Sequence, residues 1–197
     1  MKIAVIGATG HLGGAVTREA LDRGHRVTGL GSAQVDVADV ASIRNAVADH
    51  DAVVVAVQGP DRLVPRAAAA LLEAGLDRLV FLGGGGSLEY APGQRYIDSP
   101  DFPPEYLEIA RDHAEALEIF RGAKSPVRWS YVSPPPVYLV PGEKTGKYRA
   151  EARDTPITDD KGECRITVGD YASAVIDAVE RDSFIRERFT VAGGSTY

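Results

Sequence analysis

Apolar positions along the chain fall into two alternating rhythms. Short β-branched runs predict strands at Lys2–Ile6, Arg26–Leu30, 52–57, Arg78–Leu82 and 127–132. Longer stretches with helical spacing predict helices at 12–23, 40–49, 62–74 and 104–122. Gly24 and Gly75 stand where helix C-caps are expected, and Asp39 and Asp61 where N-caps are. Most of the strand runs are nearly continuously apolar rather than alternating, the mark of parallel strands covered on both faces. Strand–helix alternation through short connections predicts an α/β fold with a doubly wound parallel sheet.

The rhythm changes after residue 132. Residues 133–162 are rich in Pro, Gly and charge and read as an irregular excursion. A short strand near 164–167, a helix near 171–181 and a last strand at 188–191 follow. We read the chain as one domain, 1–197, with a core of 1–132 plus 163–197. The tail forms a small C-terminal cap over one edge of the sheet.

Composition narrows the function classes. A chain of 197 residues suits one domain. With 22 Lys+Arg against 28 Asp+Glu the net charge is −6, so the chain lacks the positive field that holds nucleic acid or an anionic membrane. A single cysteine, Cys164, excludes an internal disulfide and supplies no thiolate cluster, and no metal site is expected. No apolar run approaches the ~18 residues of a membrane span. The apolar start of the chain is too short for a signal peptide, so a cytoplasmic protein is expected.

The first strand runs directly into Gly7-Ala8-Thr9-Gly10-His11-Leu12-Gly13, which opens a helix. A pyrophosphate needs backbone N–H groups aimed at it without an intervening Cβ, at a helix end whose dipole favours anions. Gly7 permits the tight turn, Gly10 the close approach and Gly13 the packing of helix on strand. The spacing is G-x-x-G-x-x-G, and its strand–turn–helix context makes dinucleotide binding the expected role. An NAD site ordinarily carries Asp or Glu at the end of the second strand, and an NADP site carries Arg nearby. Here the strand ends Thr28-Gly29-Leu30-Gly31-Ser32, with neither. Without a carboxylate to repel a 2′-phosphate, NADP is mildly favoured and NAD stays possible. Asp36 reads either as facing the adenine end or as a turn aspartate.

These segments also resemble a known group. The phosphate loop, Val35-Asp36-Val37-Ala38-Asp39 and Thr167-Val168-Gly169-Asp170-Tyr171-Ala172 resemble the atypical short-chain dehydrogenase/reductase superfamily. Gly83-Gly84-Gly85-Gly86-Ser87-Leu88, the stretch from Pro141 to Arg149 and Arg188-Phe189-Thr190-Val191-Ala192 are similar to segments of the NADH–flavin reductase group. That group is related to biliverdin/flavin reductases and NmrA-like proteins. The resemblance implies a Rossmann fold, bound NAD(P)H and hydride transfer to a flavin-like acceptor. The implied cofactor set adds Asp36, Val57, Gly83, Gly84, Ser133 and Pro134 to the phosphate loop. Relatives usually carry a helix and another strand where residues 31–34 alone join Leu30 to Val35, so the sheet is shortened between strands 2 and 4. The missing element normally walls the adenosine half of the cofactor.

The catalytic Tyr-x-x-x-Lys of typical superfamily members is absent: no lysine has a tyrosine four positions before it. There lysine lowers the tyrosine pKa for proton exchange with a carbonyl oxygen. The nearest pattern is Tyr106, with Ala110 in the lysine position and His113 on the same helical face. His113 is the candidate proton donor near neutrality. Ser87, just past the glycine run, is a candidate to bond nicotinamide or acceptor. The glycine run itself reads as a close approach to a flat ring or as a mobile loop. Tyr90, Tyr96, Phe102 and Tyr138 are candidate aromatic walls, and Ser133-Pro134-Pro135-Pro136 would line the cleft rigidly.

A planar acceptor needs chiefly proximity, because the reduced ring delocalises charge and solvent supplies the proton. The leading expectation is an NAD(P)H-dependent reductase of a flavin or quinone-like acceptor, with a homodimer as a possible assembly. The alternative is a non-catalytic NAD(P) redox sensor of NmrA-like type.

Overall fold

The structure is a computed structural model describing residues 1–136, 139–159 and 161–194. In chain order its elements are β1 (Lys2–Ile6), α1 (His11–Asp22), β2 (Arg26–Leu30), α2 (Val40–Val47), β3 (Ala52–Val55), α3 (Leu63–Ala74) and β4 (Arg78–Leu82). A hairpin of β5 (Glu89–Ala91) and β6 (Gln94–Arg95) follows, then two 3-10 turns and α4 (Leu107–Gly122). The chain ends with β7 (Arg128–Ser133), β8 (Leu139–Val140), β9 (Tyr148–Glu151), β10 (Ile166–Thr167), α5 (Val168–Glu180) and β11 (Glu187–Gly193).

The central sheet has the order β2-β1-β3-β4-β7-β11-β9, parallel throughout except for β9, which runs antiparallel to β11. The continuous apolar runs of β1, β3 and β4 are buried on both faces, as parallel strands under helices must be. One core lies between the sheet and α2, α3 and α4, around Leu71, Phe81, Phe120 and Trp129. The other lies under α1 and α5, around Val5, Val16, Ile176 and Phe189. In the usual order of such folds, 3-2-1-4-5-6, a further strand lies outside the second. Here β2 is itself the edge and is mostly exposed, so the element missing from the sequence is missing from the sheet.

Most of the sequence-derived elements stand within two or three residues of their expected bounds, and the exceptions have local causes. β3 stops at Val55, because Gly7 packs its backbone against Ala56. Asp39 caps α2, its carboxylate accepting from the Ser42 N–H at 2.6 Å. Asp61 does not cap α3: it and Arg62 both have positive φ, and Arg62 occupies the N-cap position without a side-chain bond. α5 begins at Val168, earlier than its apolar pattern suggests, because Thr167 accepts from the Asp170 N–H at 3.0 Å.

The C-terminal segment sits at the β7 edge and is built onto it by strand pairing. β11 pairs parallel to β7, and β9 closes the edge. The excursion after residue 132 is thus partly regular, with β8 bridging β10 and β9 joining the sheet. Those strands are two to four residues long, too short for a periodicity to reveal.

Candidate functional site

The carboxyl ends of β1, β3, β4 and β7 open onto a cleft, where open α/β sheets bind ligands. Gly7 has φ +86°, and a Cβ there would stand 2.0 Å from the Ala56 carbonyl oxygen. A Cβ on Gly13 would stand 2.1 Å from the Gly7 carbonyl oxygen, so this glycine lets α1 lie against the turn. Gly10 differs: its Cβ would meet only the Gly7 oxygen, at 3.3 Å. The fold therefore requires Gly7 and Gly13, while the space beside Gly10 faces the cleft. Gly10 is also the N-cap of α1; it offers no side-chain bond to the helix, and the first turn holds no acidic residue.

Three cavities run along this cleft. The first, about 260 Å³, is lined by Gly7, Thr9, Gly10, Gly31, Ser32, Val35, Val37 and Val57, among others. The second, about 370 Å³, lies among Gly10, His11, Leu12, Gly13, Val57, Gln58, Gly83 and His113. The third, about 850 Å³, is walled by Tyr90, Tyr96, Phe102, Tyr106, Pro135 and Pro136. Gly10, Val57 and Gln58 are shared by the first two, and Leu139 by the second and third. The sequence patterns did not single out Gln58 or Leu139. Gln58 follows β3 and Leu139 sits in the two-residue β8, and neither position carries a motif.

The glycines Gly7, Gly10 and Gly13, with Thr9, His11, Leu12, Val57 and Gly83, thus meet at the cleft, and other candidate site residues do not. Ala8 packs into the core beneath α1. Asp36 is exposed and points away: its carboxylate accepts from the Ala38 N–H at 2.9 Å, making it a turn aspartate, while Val35 and Val37 line the cavity. Ser87 is buried at 7% exposure and does not line the cleft; its Oγ accepts from Arg188 Nη1 at 3.0 Å. Tyr106 stands at 59% exposure on the rim of the aromatic cavity, away from His113. Ser133 is fully buried, and the Pro134 carbonyl backs the glycine run instead of lining the cleft. Tyr138 lies outside the described residues.

The glycine run after β4 is a packed floor rather than a mobile loop. A Cβ on Gly83 would enter the Tyr131 ring, one on Gly85 would meet the Pro134 and Pro135 carbonyls, and one on Gly86 would meet Ile97. Tyr131, which no sequence motif marks, organises this floor. Its hydroxyl donates to the His113 carbonyl at 2.7 Å and accepts from the Gly84 N–H at 3.3 Å. Burial pushes the Tyr131 phenol well above its ordinary range, which fixes it as a neutral hydrogen-bonding post.

His113 does reach the cofactor-sized cavity, yet not as the expected acid. Burial pulls its pKa down to about 4, so the ring is neutral near pH 7 and holds no proton to give as imidazolium. Its Nδ1 is buried without a hydrogen-bond partner among the described residues. Neither Tyr nor Lys occurs among the described residues lining that cavity.

The segments that carried the family resemblance have a structural part to play. The Asp170 carboxylate accepts from the Thr145 and Gly146 N–H groups at 2.8 and 2.9 Å and from the Thr145 hydroxyl at 2.7 Å. A Cβ on Gly169 would stand 2.2 Å from the Lys144 nitrogen. Lys144 Nζ bonds Glu19 on α1 at 3.0 Å, and the Tyr148 hydroxyl donates to Asp177 at 2.6 Å. The stretch from 141 to 148 is thereby clasped over α1 and α5.

A dinucleotide fits these residues on several counts. The helix end is uncapped, the space beside Gly10 is open, and the walls at Val57 and Gly83 are apolar or bare. Compared with known proteins, residues 7–182 match the family model described as NAD(P)H-binding. The protein YwnB of Bacillus subtilis (strain 168) is 36% identical over 210 residues, covering 97% of this chain and 98% of that one. Among solved structures, SP1627 of Streptococcus pneumoniae TIGR4, named a "putative NADH-flavin reductase", is 29% identical with a TM-score of 0.85. The match covers 98% of this chain and 99% of that chain. A "putative epimerase" of Bacteroides thetaiotaomicron is 29% identical with a TM-score of 0.87, over 100% of this chain and 98% of that chain. No helix among the described residues is long and apolar enough to cross a membrane.

Proposed function

Because the chain belongs to the NAD(P)H-binding family, we propose that it is an NAD(P)H-dependent reductase that passes hydride to a planar acceptor. The observation that carries this reading is the row of adjoining cavities along the carboxyl ends of the strands. A glycine-lined helix end at one side is followed by a cavity of mixed polarity and then by an aromatic cavity, with Leu139 bordering the last two. Bound there, the reduced nicotinamide supplies the hydride. The N–H groups at the start of α1 hold the pyrophosphate. Val57 and Gly83 would bound the ring's space, with the neutral His113 ring beside it. Tyr131 keeps the glycine floor and α4 in fixed relation, so the two ring sites do not drift apart.

The missing Tyr–Lys pair disfavours alcohol–carbonyl chemistry, which must stabilise an alkoxide. It leaves reduction of a delocalised ring open, since the protein need only align the partners and limit water. The adenosine cavity carries no charged side chain among its described lining residues, so a 2′-phosphate meets no carboxylate. NADP is for that reason the preferred dinucleotide in this reading, with NAD also accepted.

One observation favours a second reading, a sensor that binds NAD(P) without turnover: no acid–base pair lines the cofactor cavity among the described residues. Both readings are tested together by following NADPH oxidation with riboflavin, FMN and a quinone, alongside calorimetric titration of NADPH and NADH. Turnover above the protein-free blank supports the reductase. Tight binding with no turnover moves the protein to the sensor reading, and absence of binding overturns both.

A further inference from the structure

We infer that the aromatic cavity selects planar ring ligands that carry no phosphate or other anionic group. This deepens the reductase reading and rests on it for the cavity's role as acceptor site. Three observations carry it. The cavity is large enough for a fused-ring ligand, at about 850 Å³, and it adjoins the cofactor cavity through Leu139. Four aromatic side chains line it, with Tyr90 and Tyr96 edge to face at 5.5 Å between ring centres. Its rim also holds both of the large aromatic side chains left exposed among the described residues, Tyr90 at 48% and Tyr106 at 59%. Exposed aromatic surface gathered at a cavity mouth, while other aromatics are buried, marks a ligand site.

Charge supplies the selectivity. Asp101 is the one charged group among the described residues lining the cavity, and no Lys or Arg lines it. The guanidinium of Arg95, at the end of β6, is already committed to Asp98 through bonds of 2.8 and 3.2 Å. A ligand phosphate needs a cation, a run of N–H donors or an uncapped helix end. Here it would meet a carboxylate instead. The ring systems that suit the cavity are therefore neutral or cationic.

The test measures binding without requiring turnover. The full chain is titrated with riboflavin and with FMN, which share one ring and differ by a phosphate, following quenching of flavin fluorescence. Each titration is run with and without saturating NADP+. Menadione, an uncharged quinone, is tested as a displacer. Riboflavin is expected to bind at least ~5-fold more tightly than FMN, the scale of repulsion between a phosphate and one carboxylate across a wet cavity. Asp101→Lys is expected to shrink or reverse that ratio while riboflavin still binds, and Tyr106→Ala to weaken both flavins. Both positions are on the cavity surface, and circular dichroism verifies that the variants fold. FMN binding as tightly as riboflavin, an unchanged ratio in Asp101→Lys, or no binding of either riboflavin or menadione would overturn the inference. If the ratio holds but NADPH is never oxidised, the reductase reading fails and the ring-selective site stands. Turnover with FMN preferred has the opposite meaning.

Discussion

The loop glycines separate cleanly when each is asked what a methyl group would strike. Gly7 and Gly13 answer with backbone carbonyls near 2 Å, 2.0 and 2.1 Å respectively, and Gly7 adds φ +86°; Gly10 answers with one oxygen at 3.3 Å. Gly7→Ala should therefore cost roughly 3 kcal/mol of stability, combining strain and overpacking. Gly10→Ala should cost less than about 1 kcal/mol yet weaken NADPH binding by tenfold or more, as a methyl occupies the approach to the pyrophosphate. Urea denaturation and calorimetric titration, run on both variants, measure the two effects separately. His113 makes a second residue-level prediction. Unfolded, it takes up a proton below about 6.5; folded, it stays neutral down to about 4. Stability contributed by the neutral ring is thus present above pH 6.5 and lost as pH falls toward 4. His113→Gln should flatten the pH dependence of unfolding in that window by up to about 1.4 kcal/mol per pH unit. An unchanged slope would show that His113 is not desolvated.

Elements in this fold are held to one another by a few buried polar groups. The clasp from Asp170 to Thr145 and Gly146 joins the start of α5 to the chain entering β9, which completes the sheet edge beside β11. Asp170→Ala removes the buried carboxylate that accepts from the Thr145 and Gly146 N–H groups and the Thr145 hydroxyl, at an expected cost of roughly 2 kcal/mol. Proteolysis within residues 141–147 should quicken by more than the global loss of stability accounts for, because the segment is freed locally. Equal protection of the variant and the parent chain would show that packing of Gly169 against Lys144 is enough. The same scale shows what was legible beforehand. Parallel strands under helices announce themselves through continuous apolar runs, as in β1, β3 and β4, while β2, β7 and the helices were readable from the strand–helix alternation. β8, β9 and β10 were not, because a strand of two to four residues has no period and owes its existence to a distant partner.

At the scale of the whole molecule, the legible part of the site was the part made by local sequence. The phosphate loop is contiguous and its turn chemistry is written in its glycines. The ring sites are assembled from separate segments: Gln58 after β3, Tyr131 on β7, His113 on α4 and Leu139 on β8. Ser87 and Asp36 misled because each sits in a suggestive motif, while its side chain already has an internal partner. No sequence spacing reports such a partner.

The sheet ends at β2, with no strand beyond it among the described residues. That bare margin lies beside Gly31 and Ser32, which line the smallest of the three cleft cavities, the one we propose for adenosine, and the short turn at 31–34 is exposed over most of its length. The molecule accordingly has a grafting point. A strand and helix inserted there would extend the sheet in its existing direction and disturb neither the clasp nor the glycine floor. Specificity for the nucleotide's far end can be rewritten as an appendage, independently of the ring chemistry at the other end of the cleft.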